Sequence, residues 1–145
     1  MATLAAIMEA LADQIRDTAG TATPDLNVYP LLIWNPTPPA VDVYPADPSQ
    51  DALAFGRGNR GLFLTVRARV NTADSEGAQE LLLSMMDPDS ATSIGAAIES
   101  DRTLGGTVSS LALSDDSPSD YGAFVDPGPD SRALLGCTWR VRVIP

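Results

Sequence analysis

The stretch from Leu62 to Leu113 constrains the fold of this chain more than any other. Over Leu62–Val70 the residues alternate: Leu62, Leu64, Val66, Ala68 and Val70 share one face, and Phe63, Thr65, Arg67 and Arg69 share the other. A period of two is the signature of a strand with one face in a core. After the polar Asn71–Asp74 the period becomes 3.6. Ala78, Leu81, Leu82 and Met85 form an apolar stripe that Glu76, Gln79, Glu80 and Ser84 largely avoid. Asp87-Pro88 ends this helix, because a residue before proline is pushed out of helical geometry. A second, short helix is expected with Ser90 as its cap and Ile94, Ala97 and Ile98 as its buried set. Asp101–Gly106 breaks it, and Thr107–Leu113 returns to strand. A strand with an apolar face, followed at once by a helix with an apolar stripe, is a folding unit.

The flanking sequence extends that unit. Thr3 can cap a first helix with Leu4, Ile7, Met8, Leu11 and Ile15 on its apolar side, ending between Gly20 and Pro24. Leu26–Tyr29 reads as a short strand. A proline-rich crossover follows over 30–48, with Ala40–Tyr44 as a strand near an edge, because prolines at this density lack the N–H groups that a central strand needs. Leu31–Trp34 is an apolar run between breakers, either a loop plugging the core or a subunit contact anchored by Trp34. Residues 51–61 read as a strand and a Gly-rich hairpin. The segment 114–130 carries Asp115, Asp116, Asp120, Asp126 and Asp130, and reads as a loop-like acidic hairpin with at most brief pairing over Tyr121–Val125.

The last strand, Leu134–Ile144, places Leu135, Cys137, Trp139, Val141 and Val143 on one face, with Thr138, Arg140 and Arg142 on the other. Arg67 and Arg69 show the same spacing. If the two strands are neighbours, four of the nine arginines line one face of the sheet and the helices cover the opposite one. Such a face is either solvated or set against acids of a neighbouring subunit. Arg67 and Arg69 are expected to be free for that contact. Trp34, Arg67, Arg69, Arg140 and Arg142, with Arg57 and Arg60 of the hairpin, form the candidate subunit-contact set.

Length and charge bound the function. A chain of 145 residues is one domain on the usual prior, able to bury about 70% of its unfolded surface without a metal or disulfide. No apolar run approaches the roughly 20 residues that span a bilayer. The N-terminus lacks the positive charge of a signal peptide, and a single cysteine fits a reducing cytoplasm. Nine arginines against nineteen acids give −10, with no lysine and no histidine. The acid excess argues against extended contact with nucleic-acid phosphate. Without histidine the commonest general base and metal ligand are missing, and a Ser-His-Asp triad is impossible.

The motifs that remain are weak. Gly56–Gly61 matches G-x-G-x-x-G, but a dinucleotide fingerprint opens a helix and this one opens a strand. Asp87-Pro88-Asp89 starts like a calcium loop and lacks the later ligands. Cys137 lies on an apolar face beside Trp139, the setting of a packed core thiol. No catalytic, cofactor or metal residue is expected.

The order of elements resembles the tail terminator proteins of long-tailed bacteriophages. The likeness rests on Leu4-Ala5-Ala6-Ile7, Val28-Tyr29-Pro30 followed by Pro38-Pro39-Ala40-Val41, and Phe55-Gly56-Arg57-Gly58. It continues through Ala78–Leu82, Leu104–Val108 and the closing alternating strand, and so covers nearly the whole chain. The resemblance implies an α+β fold: a mixed, mainly antiparallel sheet with helices packed on one face of a single domain. It also implies a hexameric ring in the virion, at the head-proximal end of the tail. Such a ring ends growth of the tail tube, contacts the tube protein and a head-completion or connector protein, and lets DNA pass without binding it. The channel-facing acidic surface is then either the loop near Asp115–Asp130, with Asp115, Asp116 and Asp120 as its candidates, or the acidic helix exteriors. Alternatives are another phage neck component, such as a connector protein, and, further off, an acidic DNA-mimic inhibitor or a histidine-free hydrolase.

Overall fold

The computed structural model describes residues 3–34, 36–50, 61–71, 75–125 and 133–145. Arg57 and Arg60, most of the Gly-rich hairpin, and Asp126 and Asp130 lie outside the described residues.

Helix α1 spans Leu4–Ala22. It starts where Thr3 Oγ1 accepts the Ala6 N–H at 3.1 Å, satisfying one of the donors that a helix start leaves orphaned. It buries Ile7, Met8, Leu11, Ala12, Ile15 and Ala19, whereas Leu4, in the first turn, remains exposed. The strands are β1 Asn27–Tyr29, β2 Ala40–Gln50 and β3 Leu62–Asn71. Helices α2, Ser75–Met86, and α3, Ile94–Glu99, follow, and then β4 Ser110–Leu113, β5 Ser119–Val125 and β6 Ala133–Ile144.

The strands form one six-stranded sheet in the order β1-β2-β3-β6-β4, with β5 also paired to β6. Only β1 and β2 run parallel. The expected neighbours are neighbours. Leu62 to Asn71 pairs antiparallel with Val143 to Leu134 over ten residues, placing Thr65 opposite Arg140 and Phe63 opposite Arg142. Beyond β6, β4 takes Val141–Ile144 and β5 takes Ala133–Thr138, so the two short strands share its outer edge.

The helices cover one face. Val41, Val43, Leu64, Val66, Val70, Trp139, Val141 and Val143 of the sheet meet Ile7, Leu11, Ile15, Leu82, Met85 and Ile98 of the helices in one buried cluster. Each such side chain contributes about 1.5–3 kcal/mol when fully buried. Gln14 of α1 ties the helical layer together, donating to the Ala97 and Ile98 carbonyls at 3.1 and 2.8 Å near the C-terminal end of the short α3. The fold is therefore α+β, a mainly antiparallel sheet with its helices on one side of a single domain. Among the described residues, no helix is long and apolar enough to cross a membrane.

Four local expectations need correction. Strand β2 runs on through Pro45 and Pro48 to Gln50. Strand β1 covers only Ala40–Asp42, so past Asp42 no described strand lies on the outer side of β2 and a missing N–H there breaks no pairing. The cap of α3 is Ser93, whose hydroxyl accepts the Ala96 N–H at 3.1 Å, while Ser90 bonds Thr92 instead. Strand β4 begins at Ser110 because Thr103–Val108 closes into turns around Leu104, Gly105 and Gly106, all at positive φ. Finally, Ser119–Val125 is a seven-residue strand, paired at five positions to β6, where a loop-like hairpin is expected.

Candidate functional site

The face away from the helices carries the unusual chemistry. Opposite residues of antiparallel strands share a face, so the register puts Arg67, Arg69, Arg140 and Arg142 together, as the sequence predicts. The expectation that Arg67 and Arg69 are free to meet another subunit fails. Asp42, 1% exposed, lies opposite Arg67 on β2 and takes both of them. Arg67 donates Nε to Asp42 Oδ1 at 3.2 Å and Nη2 to Oδ2 at 2.7 Å; Arg69 Nη2 makes a longer 3.5 Å contact to Oδ2. Arg69 itself is 1% exposed. A charge taken this far out of water persists only when paired and hydrogen-bonded, and Asp42 supplies that pairing.

The cluster also holds the Leu31–Trp34 loop. The Ile33 N–H donates to Asp42 Oδ2 at 3.2 Å, and the Ile33 carbonyl accepts from Arg69 Nη2 at 2.7 Å and Arg67 Nη2 at 3.3 Å. Both backbone groups of Ile33 are thereby satisfied by side chains of the sheet. With its backbone turned inward, the loop turns its side chains out: Leu31 and Trp34 are each 60% exposed. The reading of this run as a core plug is overturned, because Leu31 and Trp34 stand out of the core.

Beside the cluster lies a cleft of about 540 Å3 lined by Tyr44, Thr65, Asp116, Asp120, Phe124 and Arg140, among others. Arg140 of its lining and Arg67 of the cluster both lie against rings. The Arg140 guanidinium carbon stands 4.2 Å from the Phe63 centroid, and that of Arg67 stands 5.2 Å from Tyr44 and 5.8 Å from Phe124. Phe124 reaches across β6 because position 136 is glycine: a Cβ there would collide with the Ala68 carbonyl oxygen and lie 3.0 Å from the Phe124 ring. Asp120, at φ +58°, accepts from Thr138 Oγ1 at 3.1 Å. Asp115 and Asp116 are exposed, and Arg142 lies exposed on the same face as Arg140. The structure thus brings Asp116, Asp120 and Arg140 to one cleft and leaves Asp115 outside its lining.

Burial shifts two titratable groups of the sheet. Burial pushes the Tyr44 phenol above its ordinary value, opposed by Arg67, so it stays a neutral donor at neutral pH. Burial likewise pushes the Cys137 thiol up to about 12, and with no exposed surface it is a packed core group, as its strand position suggests. Among the described residues no cluster of histidine, cysteine, aspartate or glutamate has the geometry to hold a metal ion. What the arrangement provides is rigidity: a polar network that fixes an apolar loop.

Sequence reasoning missed Asp42 and Ile33. The signal for Asp42 was present, a lone carboxylate at an alternating position of Val41-Asp42-Val43 in a sheet already expected to carry Arg-x-Arg. Ile33 takes part through its backbone, which no side-chain pattern reports. The chain matches no protein-family model, and a search of curated proteins finds no match.

Proposed function

We propose that this chain is a structural ring protein at the head-proximal end of a phage tail, ending growth of the tail tube and offering the docking surface for the head. The observation that carries this reading is the Leu31–Trp34 loop. Its exposed apolar side chains stand on a backbone fixed by the Asp42–Arg67–Arg69 cluster, which suits a protein whose work is contact. The helix-backed α+β sheet agrees with the resemblance to tail terminator proteins, and the charge agrees as well. Six copies at −10 each would carry about −60 formal charges, which disfavours adhesion of DNA passing through the ring.

Electron microscopy of tails made without the protein tests the role. The expected result is tails of irregular, excessive length that fail to join heads. Tails of normal, uniform length that remain unjoined would instead assign the chain to another neck component, and normal tails that join heads would remove it from the neck. In the ring, Asp115, Asp116 and Asp120 face the channel. Changing all three to Asn is expected to slow genome passage while assembly stays intact; unchanged infectivity would argue against that placement.

A further inference from the structure

Two exposed apolar strips occupy opposite sides of this molecule. The first is the loop just described, with Leu31 and Trp34 each 60% and Leu32 38% exposed, on the arginine face above β2 and β3. The second is β5, an outer strand of the sheet. Ala123 lies opposite Leu135, so Ala123 and Val125 stand on the helix-covered side, yet the helices do not cover the strip: Tyr121 is 44% and Val125 67% exposed.

Charge indicates what covers them. Every copy carries −10, so a second copy is repelled by most of the surface of the first. Both strips lie in uncharged stretches. Residues 26–41, between Asp25 and Asp42, are the longest uncharged run in the chain, at sixteen residues. Tyr121–Val125 is uncharged between Asp120 and Asp126. Here equally acidic molecules can approach without setting like charges against each other, whereas a basic partner would be drawn to the acid-rich remainder. The strips differ in residues, face and edge, so a two-fold contact pairing each with itself uses neither as a complement. A head-to-tail contact uses both, and repeated around an axis it closes into a ring. Little order is lost on docking, since Ile33 is pinned and β5 is already paired.

We infer that the Leu31–Trp34 loop of one copy docks on the Tyr121–Val125 strip of the next; the choice of a second copy as partner rests on the ring reading above. The test mixes two full-length variants, Leu31→Cys and Val125→Cys, and adds a short bis-maleimide. Native Cys137 is buried and should not react, which the unchanged protein verifies. The mixture is expected to give a covalent heterodimer, each variant alone none, and a chain carrying both changes a ladder of multimers. Like-with-like dimers, or no product even in concentrated solution, overturn the contact. In native mass spectrometry Leu31→Glu should weaken association about thirtyfold, whereas Leu83→Glu, on an equally open helical position, should not; equal weakening by both also overturns it. Heterodimers alongside normal tails would keep this contact and reject the tail role. Unjoined, overlong tails without heterodimers would keep the role and reject the contact.

Discussion

Asp42 is the residue on which most depends. It is the carboxylate shared by two guanidinium groups and by the backbone of the exposed loop. Asp42→Ala leaves Arg67 and Arg69 without that counter-charge, and breaking a buried pair this way costs about 3–5 kcal/mol. Urea unfolding should show that loss, and amide exchange at Ile33 should speed up as the loop is released. Cys137 makes a prediction about pH. Its unfolded thiol ionises near 9.0, while the native one holds its proton to about 12. Above pH 9 the unfolded chain therefore sheds a proton that the native chain keeps, and stability falls as pH rises through that window. Tyr44, also raised by burial, pushes in the same direction from above its ordinary value of 10.0. The urea midpoint of the unchanged protein should decline more steeply between pH 8 and 10.5 than that of Cys137→Ala; equal slopes would contradict the burial of the thiol.

At the scale of elements, capping separates two serines that look alike in sequence. Ser93 is 3% exposed and holds the first turn of α3, whereas Ser90 belongs to the preceding turn. Ser93→Ala should cost about 1 kcal/mol by thermal or urea unfolding, within the usual 0.5–2 kcal/mol for a lost cap; Ser90→Ala should cost less. Most elements were legible because they obey one period throughout. The ten-residue pairing of β3 with β6 follows from two alternating runs, and α2 from its stripe at Ala78, Leu82 and Met85. Elements whose existence depends on a neighbour were less legible. Strand β5 has mixed polarity and follows the proline Pro118, yet it forms because β6 offers an unpaired edge beyond β4. Strand β2 passes through its prolines because its outer side is uncovered there among the described residues.

For the molecule as a whole, the arginine face divides into an inner and an outer part. Arg67 and Arg69 belong to the fold, whereas Arg140 and Arg142, one stacked on Phe63 and one exposed, lie where a partner can reach. The charge reversal Arg67→Glu with Arg69→Glu, expected from sequence to spare the monomer, should therefore unfold it by placing three carboxylates together out of water. Circular dichroism should show loss of the native signal. A folded monomer would mean that the cluster is dispensable.

Local periodicity fixes the class of the molecule. Period two and period 3.6 mark which residues need cover, and each is a local property that survives whatever the neighbours do. From them came the helix-backed sheet, the side of it that bears four arginines, and the position of Cys137 in the core. Whether those arginines lie at the surface or inside depends on contacts between distant segments. The same Arg-x-Arg spacing ends buried on β3 and partly open on β6, because Asp42 and the Ile33 backbone stand over one pair and not over the other. Burial of a charge is settled by which counter-charge and which carbonyl arrive from elsewhere in the chain, and no local pattern carries that information.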